Sequence, residues 1–206
     1  MRSITMKERP ILFSAPMIRA LREWRKTQTR RVIRLQPDED GLAFDLIKRG
    51  WFDTSGREYK CPYGQPGDRL WVREAWAKAI HGCGVELLER WEPGKEGPFG
   101  VGAIYAATPH KGYSVGKWKP SIHMPRWASR ITLEVTRVRV ERLQGISEGD
   151  SQREGCERPI LQDMGPDLHP YTGYYRDAFK DLWQSINGPG SWEANPFVWV
   201  VEFKAC

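Results

Sequence analysis

The run Arg25-Lys26-Thr27-Gln28-Thr29-Arg30-Arg31 gathers an amine, two hydroxyls and three guanidinium groups into seven residues. A hydroxyl close to an amine suits nucleophilic attack on a carbonyl, with the amine taking the proton and a cation steadying the oxyanion. Lysine acts as a base in this way only when its pKa falls far below about 10.4. The competing reading is an ordinary exposed start to a strand.

A second cluster joins cations to aromatic surface: Arg126-Trp127 and Arg130, preceded by His123 and extended by Trp71 and Arg73. Such pairings hold phosphates and stack bases. Burial competes with that use, because most of ten tryptophans in one domain must be core. A lone histidine such as His123 is usually structural.

The elements that position these residues follow from local patterning. Upstream of the basic run, Met17, Leu21 and Trp24 recur at helical spacing, with Ser14 available as a cap and Pro16 in the first turn. Beyond Lys26, the β-branched Thr27, Thr29, Val32 and Ile33 favour an extended chain, so Lys26 and Thr29 are expected at the mouth of a sheet. Pro66-Gly67-Asp68 turns into a strand with Leu70 and Val72 on one face and Trp71 and Arg73 on the other. From Ile131 to Leu143 the apolar positions are odd and then even, which predicts a bulge near Thr136-Arg137. Ser147 caps a short helix with Asp150 at its third position, and Gly155 ends it. Tyr174, Ala178, Leu182 and Trp183 recur at helical spacing. Phe197 to Phe203 reads as a strand buried on both faces.

At 206 residues with formal charge +6, the chain suits one domain and favours anionic partners. Gly- and Pro-rich stretches place surface insertions near 34–66, 78–102 and 156–172. No run reaches the ~18 apolar residues of a membrane span, so a cytoplasmic protein without a membrane partner is expected. Cys61, Cys83, Cys156 and Cys206 form no Cys-x-x-Cys pair. His81-x-Cys83 with Cys61 falls short of a four-ligand site, and neither metal nor cofactor is expected.

Lys26-x-x-Thr29-x-Arg31 resembles the signature of the ASCH domains, a PUA-like β-barrel family associated with RNA and modified nucleosides. Gly67-Asp68-Arg69-Leu70-Trp71-Val72-Arg73 is similar to the family's strand entry, and Phe197 to Lys204 to its closing strand. Leu143-Gln144-Gly145-Ile146-Ser147-Glu148, leading to Glu154, is similar to the helix carrying a functional glutamate in small bacterial members that hydrolyse N4-acetylcytidine. Pro120 to Arg130 and the Trp-rich C-terminus also resemble prophage-encoded proteins. The family usually has Gly where this chain has Trp24, and a left-handed helix end there strains tryptophan.

The resemblance implies an α+β fold: a small PUA-like (ASCH) β-barrel spanning 1–206, with peripheral helices and loop insertions. It implies a catalytic set of Lys26, Thr29 and Glu154, acting on a modified nucleoside or a base within RNA or single-stranded DNA. Arg30, Arg31, Arg73, Arg126, Trp127 and Arg130 are the expected base- and nucleic-acid-binding residues. Two divisions of labour are open: Lys26 deprotonates Thr29, or Lys26 stays cationic while Glu154 activates water. Removal of an acyl group from an exocyclic amine is the preferred reading. A non-catalytic binding module and a phage assembly or host-interaction protein are the alternatives.

Overall fold

A computed structural model of the chain describes residues 6–45, 50–78, 103–108, 116–157 and 174–206. Its centre is a five-stranded sheet built from β1 (Glu8–Leu12), β2 (Gln28–Val32), β6 (Arg69–Arg73), β9 (Thr132–Arg142) and β10 (Phe197–Ala205). Their order is β1-β6-β9-β10-β2, antiparallel throughout except for the parallel pair β1 and β6. The fold is mixed α+β, mostly sheet with three α-helices among the described residues. The expected closed barrel is not formed there: β1 and β2 remain edges, bridged by the Arg31 side chain, whose Nη2 donates to the Leu12 carbonyl at 2.6 Å.

Strand β10 is buried on both sides, and its alternation sorts the core. Trp199, Val201 and Phe203 join Ile11, Phe13, Ile18, Leu70, Leu133 and Val135 on one face. Val198 and Val200 face the other way, onto Leu143, Cys156, Phe179 and Trp183. The expected bulge in β9 lies at Thr136, since Phe203 pairs with Val135 while Glu202 pairs with Arg137. The extra residue lets Val138 and Val140 pack on the same core as Leu133 and Val135 despite their opposite parity.

Helix α1 (Ala15–Arg22) buries Ile18, Ala20 and Leu21, with Ser14 at the N-cap position but making no side-chain cap bond. It stops before Trp24, which therefore leaves the predicted face: it is 71 % exposed at φ 60°. The left-handed region costs a residue with a Cβ roughly 1–2 kcal/mol. Helix α2 (Glu148–Arg153) begins at Ser147, whose Oγ accepts from the Asp150 N–H at 3.1 Å. Helix α3 (Tyr175–Asn187) covers the Val198 and Val200 face with Phe179 and Trp183.

The insertion expected at 34–66 is partly structured rather than a surface excursion. It holds a small antiparallel sheet of β3 (Ala43–Asp45), β4 (Gly50–Phe52) and β5 (Glu58–Tyr59). Trp51 packs edge-on against Trp199 at 5.8 Å, and Tyr59 is buried, so this sheet lids the main core. Hairpin β7 (Trp76–Lys78) and β8 (Ala103–Tyr105) carries a satellite cluster of Trp76, Met124 and Ala128. The greater parts of the insertions near 78–102 and 156–172 lie outside the described residues. Among those described, no helix is long and apolar enough to cross a membrane.

Candidate functional site: a buried ion network between a strand and a helix end

The end of α2 meets the start of β2 through both backbone and side chains. Lys26 and Glu154 form an isolated antiparallel bridge, and the Thr27 N–H donates to the Arg153 carbonyl at 2.9 Å. Gly155, at φ +87°, makes the approach possible: a Cβ there would lie 2.8 Å from Ala20 Cβ and 3.0 Å from Lys26 Cβ. The glycine thus stops the helix and seats it on α1 and Lys26.

Lys26 Nζ donates to Glu154 twice, to Oε2 at 2.8 Å and to the backbone carbonyl at 2.7 Å. An ammonium on the last carbonyls of a helix offsets the unfavourable position of a carboxylate at the negative end of the helix dipole. Both side chains are sealed, at 0 % and 3 % exposure. Burial pulls the Lys26 amine below its ordinary value, against the opposing pull of the Glu154 charge and hydrogen bond. The same burial, with the Glu154 charge, pushes the neighbouring Cys156 thiol up to about 12.

Arg30 holds the other oxygen of Glu154, Oε1, at 3.2 Å, and also pairs with Asp150 at 2.9 Å and Glu141 at 2.8 Å. Its side chain is 0 % exposed, which corrects its assignment as a base-binding cation: it is enclosed by three carboxylates. Gln28 Nε2 donates to the Asp150 carbonyl at 2.9 Å. Arg139 extends the network, contacting Asp150 at 2.9 Å and also Glu141 and Glu202. The i, i+4 spacing of Asp150 and Glu154 puts both carboxylates on one helix face. Gln28 and Arg30 alternate toward it from β2. That juxtaposition was available as a sequence signal, and reading Asp150 only as a cap missed it.

Thr29 is 2 % exposed and pairs with Val201, while Arg31 pairs with Trp199. The register sets both on the face opposite Arg30. There Phe13 joins the parts: Lys26 Nζ stands 5.5 Å and the Arg31 guanidinium 5.3 Å from its ring centre. Burial lowers the Arg31 pKa, and its Nε lacks a partner. The structure thus joins Lys26 to Glu154 directly, whereas the amine of Lys26 donates to Glu154 and not to Thr29. In place of an open mouth at the head of the sheet, Lys26 and Glu154 form a sealed pair. A groove of about 390 Å³ between α1, the Gly155 turn and α3 is lined by Arg19, Glu23, Arg25, Cys156 and Leu182 but not by Lys26 or Glu154.

The second cluster is arranged differently. Arg130 grips the buried Glu74 with two nitrogens at 2.8 and 2.9 Å and lies 3.9 Å over the Tyr105 ring. Arg126 pairs with Glu8 at 2.9 and 3.1 Å, lowering the Glu8 pKa chiefly through that hydrogen bond. Arg73 donates to the Ile122 carbonyl, and Arg73 and Arg126 lie 5.4 and 5.9 Å from the Trp71 ring centre. Trp127 is half-buried, edge-on to the buried Trp76 at 5.6 Å, and His123 is exposed. Among the described residues no group of three or more His, Cys, Asp or Glu is arranged to hold a metal; His81 and Cys83 lie outside them. No protein-family model, curated protein or solved structure matches the chain, so the arrangement of its own residues carries the functional reading.

Proposed function

We propose that the chain is a PUA-like domain of the ASCH type that removes an acyl group from an exocyclic amine of a nucleoside or nucleic-acid base, as in N4-acetylcytidine. The observation that carries this reading is the sealed Lys26–Glu154 pair, with Thr29 three residues after Lys26 in β2. A buried ion pair contributes little net stability compared with apolar packing of the same volume. Keeping one here, with a second cation on the far oxygen of Glu154, fits a group held for chemistry.

In this reading Thr29 Oγ attacks the carbonyl carbon and its proton passes to Lys26, whose amine burial pulls below its ordinary pKa. Arg31 steadies the oxyanion. The tetrahedral intermediate then expels the base amine, which takes the proton back from Lys26, and water activated by Glu154 releases the acyl group from Thr29. Access requires the Gly155 turn to part from α1, because the pair is closed to solvent.

The sealing of the pair favours a second reading, a non-catalytic nucleic-acid-binding module in which Lys26 and Glu154 only brace the fold. Incubation with a panel of acylated nucleosides, followed by mass-resolved chromatography, separates the two. The hydrolase reading expects turnover by the wild type, its loss in Thr29→Val with ligand binding retained, and its loss in Lys26→Ala. Absence of hydrolysis above the uncatalysed rate, together with weaker nucleic-acid binding by Lys26→Ala, selects the binding module.

A further inference from the structure

Trp24 is the most exposed of the large exposed apolar residues described, at 71 %. It is also one of two non-glycine residues described with positive φ, the other being Asn195. Asparagine tolerates that region through its short polar side chain, whereas tryptophan gains nothing local from it. Glycine would take the same turn without strain, and burial does not compensate the indole. An outlier of this kind points from geometry toward a role outside the fold.

The surroundings supply the charge. Arg19 and Arg22, in the last turn of α1, are exposed, and Arg25 follows Trp24 in the chain. Arg25 is committed to Glu23 and Glu157. Arg22 donates to the Thr108 hydroxyl at 3.2 Å, and neither it nor Arg19 pairs with a carboxylate among the described residues. An aromatic face in water beside unneutralised guanidinium groups is the combination that stacks a base and receives the adjoining phosphates.

We propose that Trp24 is a stacking platform for a base of single-stranded nucleic acid, with Arg19 and Arg22 taking the flanking phosphates as the strand crosses the end of α1. The Cα atoms of Trp24 and Lys26 are at most ~7 Å apart, about the spacing of neighbouring nucleotides. Where the Gly155 turn parts to admit a base to Lys26, a strand stacked on Trp24 runs into that site, and the substrate class is a polymer rather than a free nucleoside. Only this last step rests on the hydrolase reading.

The test titrates wild type, Trp24→Gly and Trp24→Phe with a short fluorescein-labelled single-stranded oligoribonucleotide and follows anisotropy, with thermal melting of each protein alongside. Trp24→Gly is expected to weaken binding roughly 5- to 100-fold while melting no lower than wild type, because it relieves the strained φ. Trp24→Phe should keep part of the affinity. Unchanged affinity in Trp24→Gly overturns the proposal, as does a loss that tracks a fall in melting temperature or an equal loss in both variants. If Trp24→Gly instead lowers binding to phosphatidylcholine/phosphatidylserine vesicles and leaves RNA binding intact, the indole is a lipid anchor and the proposal fails. Hydrolysis of a single-stranded oligoribonucleotide bearing N4-acetylcytidine by the wild type is scored separately: its absence sinks the hydrolase reading and leaves the Trp24 result standing.

Discussion

Two groups of arginines in this molecule look alike in sequence and behave differently in the fold. Arg30 and Arg139 lie between β2, β9, β10 and α2, where they and Lys26 share Glu141, Asp150, Glu154 and Glu202. Arg73, Arg126 and Arg130 lie around Trp71 and Tyr105, each with a single acid or carbonyl. In the first group Arg30, Arg139, Glu141, Asp150 and Glu154 each answer to two or more others, so the network holds one geometry and a single loss is felt across it. In the second the contacts are separable, and an outer arginine can trade its carboxylate for a phosphate. Charge count does not distinguish a brace from a binding surface; the number of partners and their burial do.

The largest expected effect tests that contrast directly. Glu154→Gln leaves the buried Lys26 without its carboxylate and strips one anion from Arg30, and breaking a buried pair this way costs about 3–5 kcal/mol. A double variant, Lys26→Met with Glu154→Leu, should recover much of the loss, because apolar groups of similar volume replace the pair. Arg130→Ala, which strands the 2 %-exposed Glu74, should also destabilise, but without coupling to Glu154→Gln. Urea unfolding of the single and combined variants reads both. Strong non-additivity between Arg130→Ala and Glu154→Gln would merge the two regions into one network.

A smaller effect is read in acid. Burial pushes the Asp150 carboxyl up, but the Arg30 hydrogen bond and the charges of Arg30, Arg139 and Arg153 outweigh it and hold the group below its ordinary 3.8. The folded state therefore binds fewer protons than the unfolded one between the two values. The ionic contribution is complete above pH 3.8 and is lost as pH falls through the lowered folded value. Asp150→Asn should be less stable than wild type near neutrality, with the gap closing on acidification. Lys26 acts at the other end: its lowered pKa makes stability rise with pH up to its ordinary 10.5. Unfolding curves across pH check both signs, and a gap for Asp150→Asn that does not change with pH would remove the ionic account.

The parts of this architecture written in local pattern were legible. The parity change in β9 located the bulge at Thr136, Ser147 located the start of α2, and Gly155 its end. The continuous apolar run of β10 announced burial on both faces. What depended on distant partners was not. Arg30 and Arg31 are adjacent and chemically identical, yet strand alternation sends one into three carboxylates and the other over Phe13. The insertion sheet β3–β5 is made of strands too short to show a period, and its place is decided by Trp51 meeting Trp199. Trp24 fits a helical stripe by spacing, but the helix ends at Arg22 and Trp24 takes the left-handed turn beyond it.

The smallest expected effect is the most selective. Arg126 and Glu8 are 44 % and 40 % exposed, so in water their attraction is offset by the entropy of ordering both side chains, and Arg126→Ala should cost only about 0.2–1 kcal/mol. Stability therefore says little about why the arginine is there, and binding says more. If Arg126 leaves Glu8 for a phosphate beside Trp71, its removal should weaken single-stranded nucleic-acid binding and lower the slope of log affinity against log salt by about 1. Destabilising changes in the inner network should leave that slope alone in protein that remains folded, because Arg30 and Arg139 never meet phosphate. Anisotropy titrations at several salt concentrations distinguish the two. An unchanged slope in Arg126→Ala would assign the arginine to Glu8 and Trp71 alone, and the contrast between brace and binding surface would then lose its outer member.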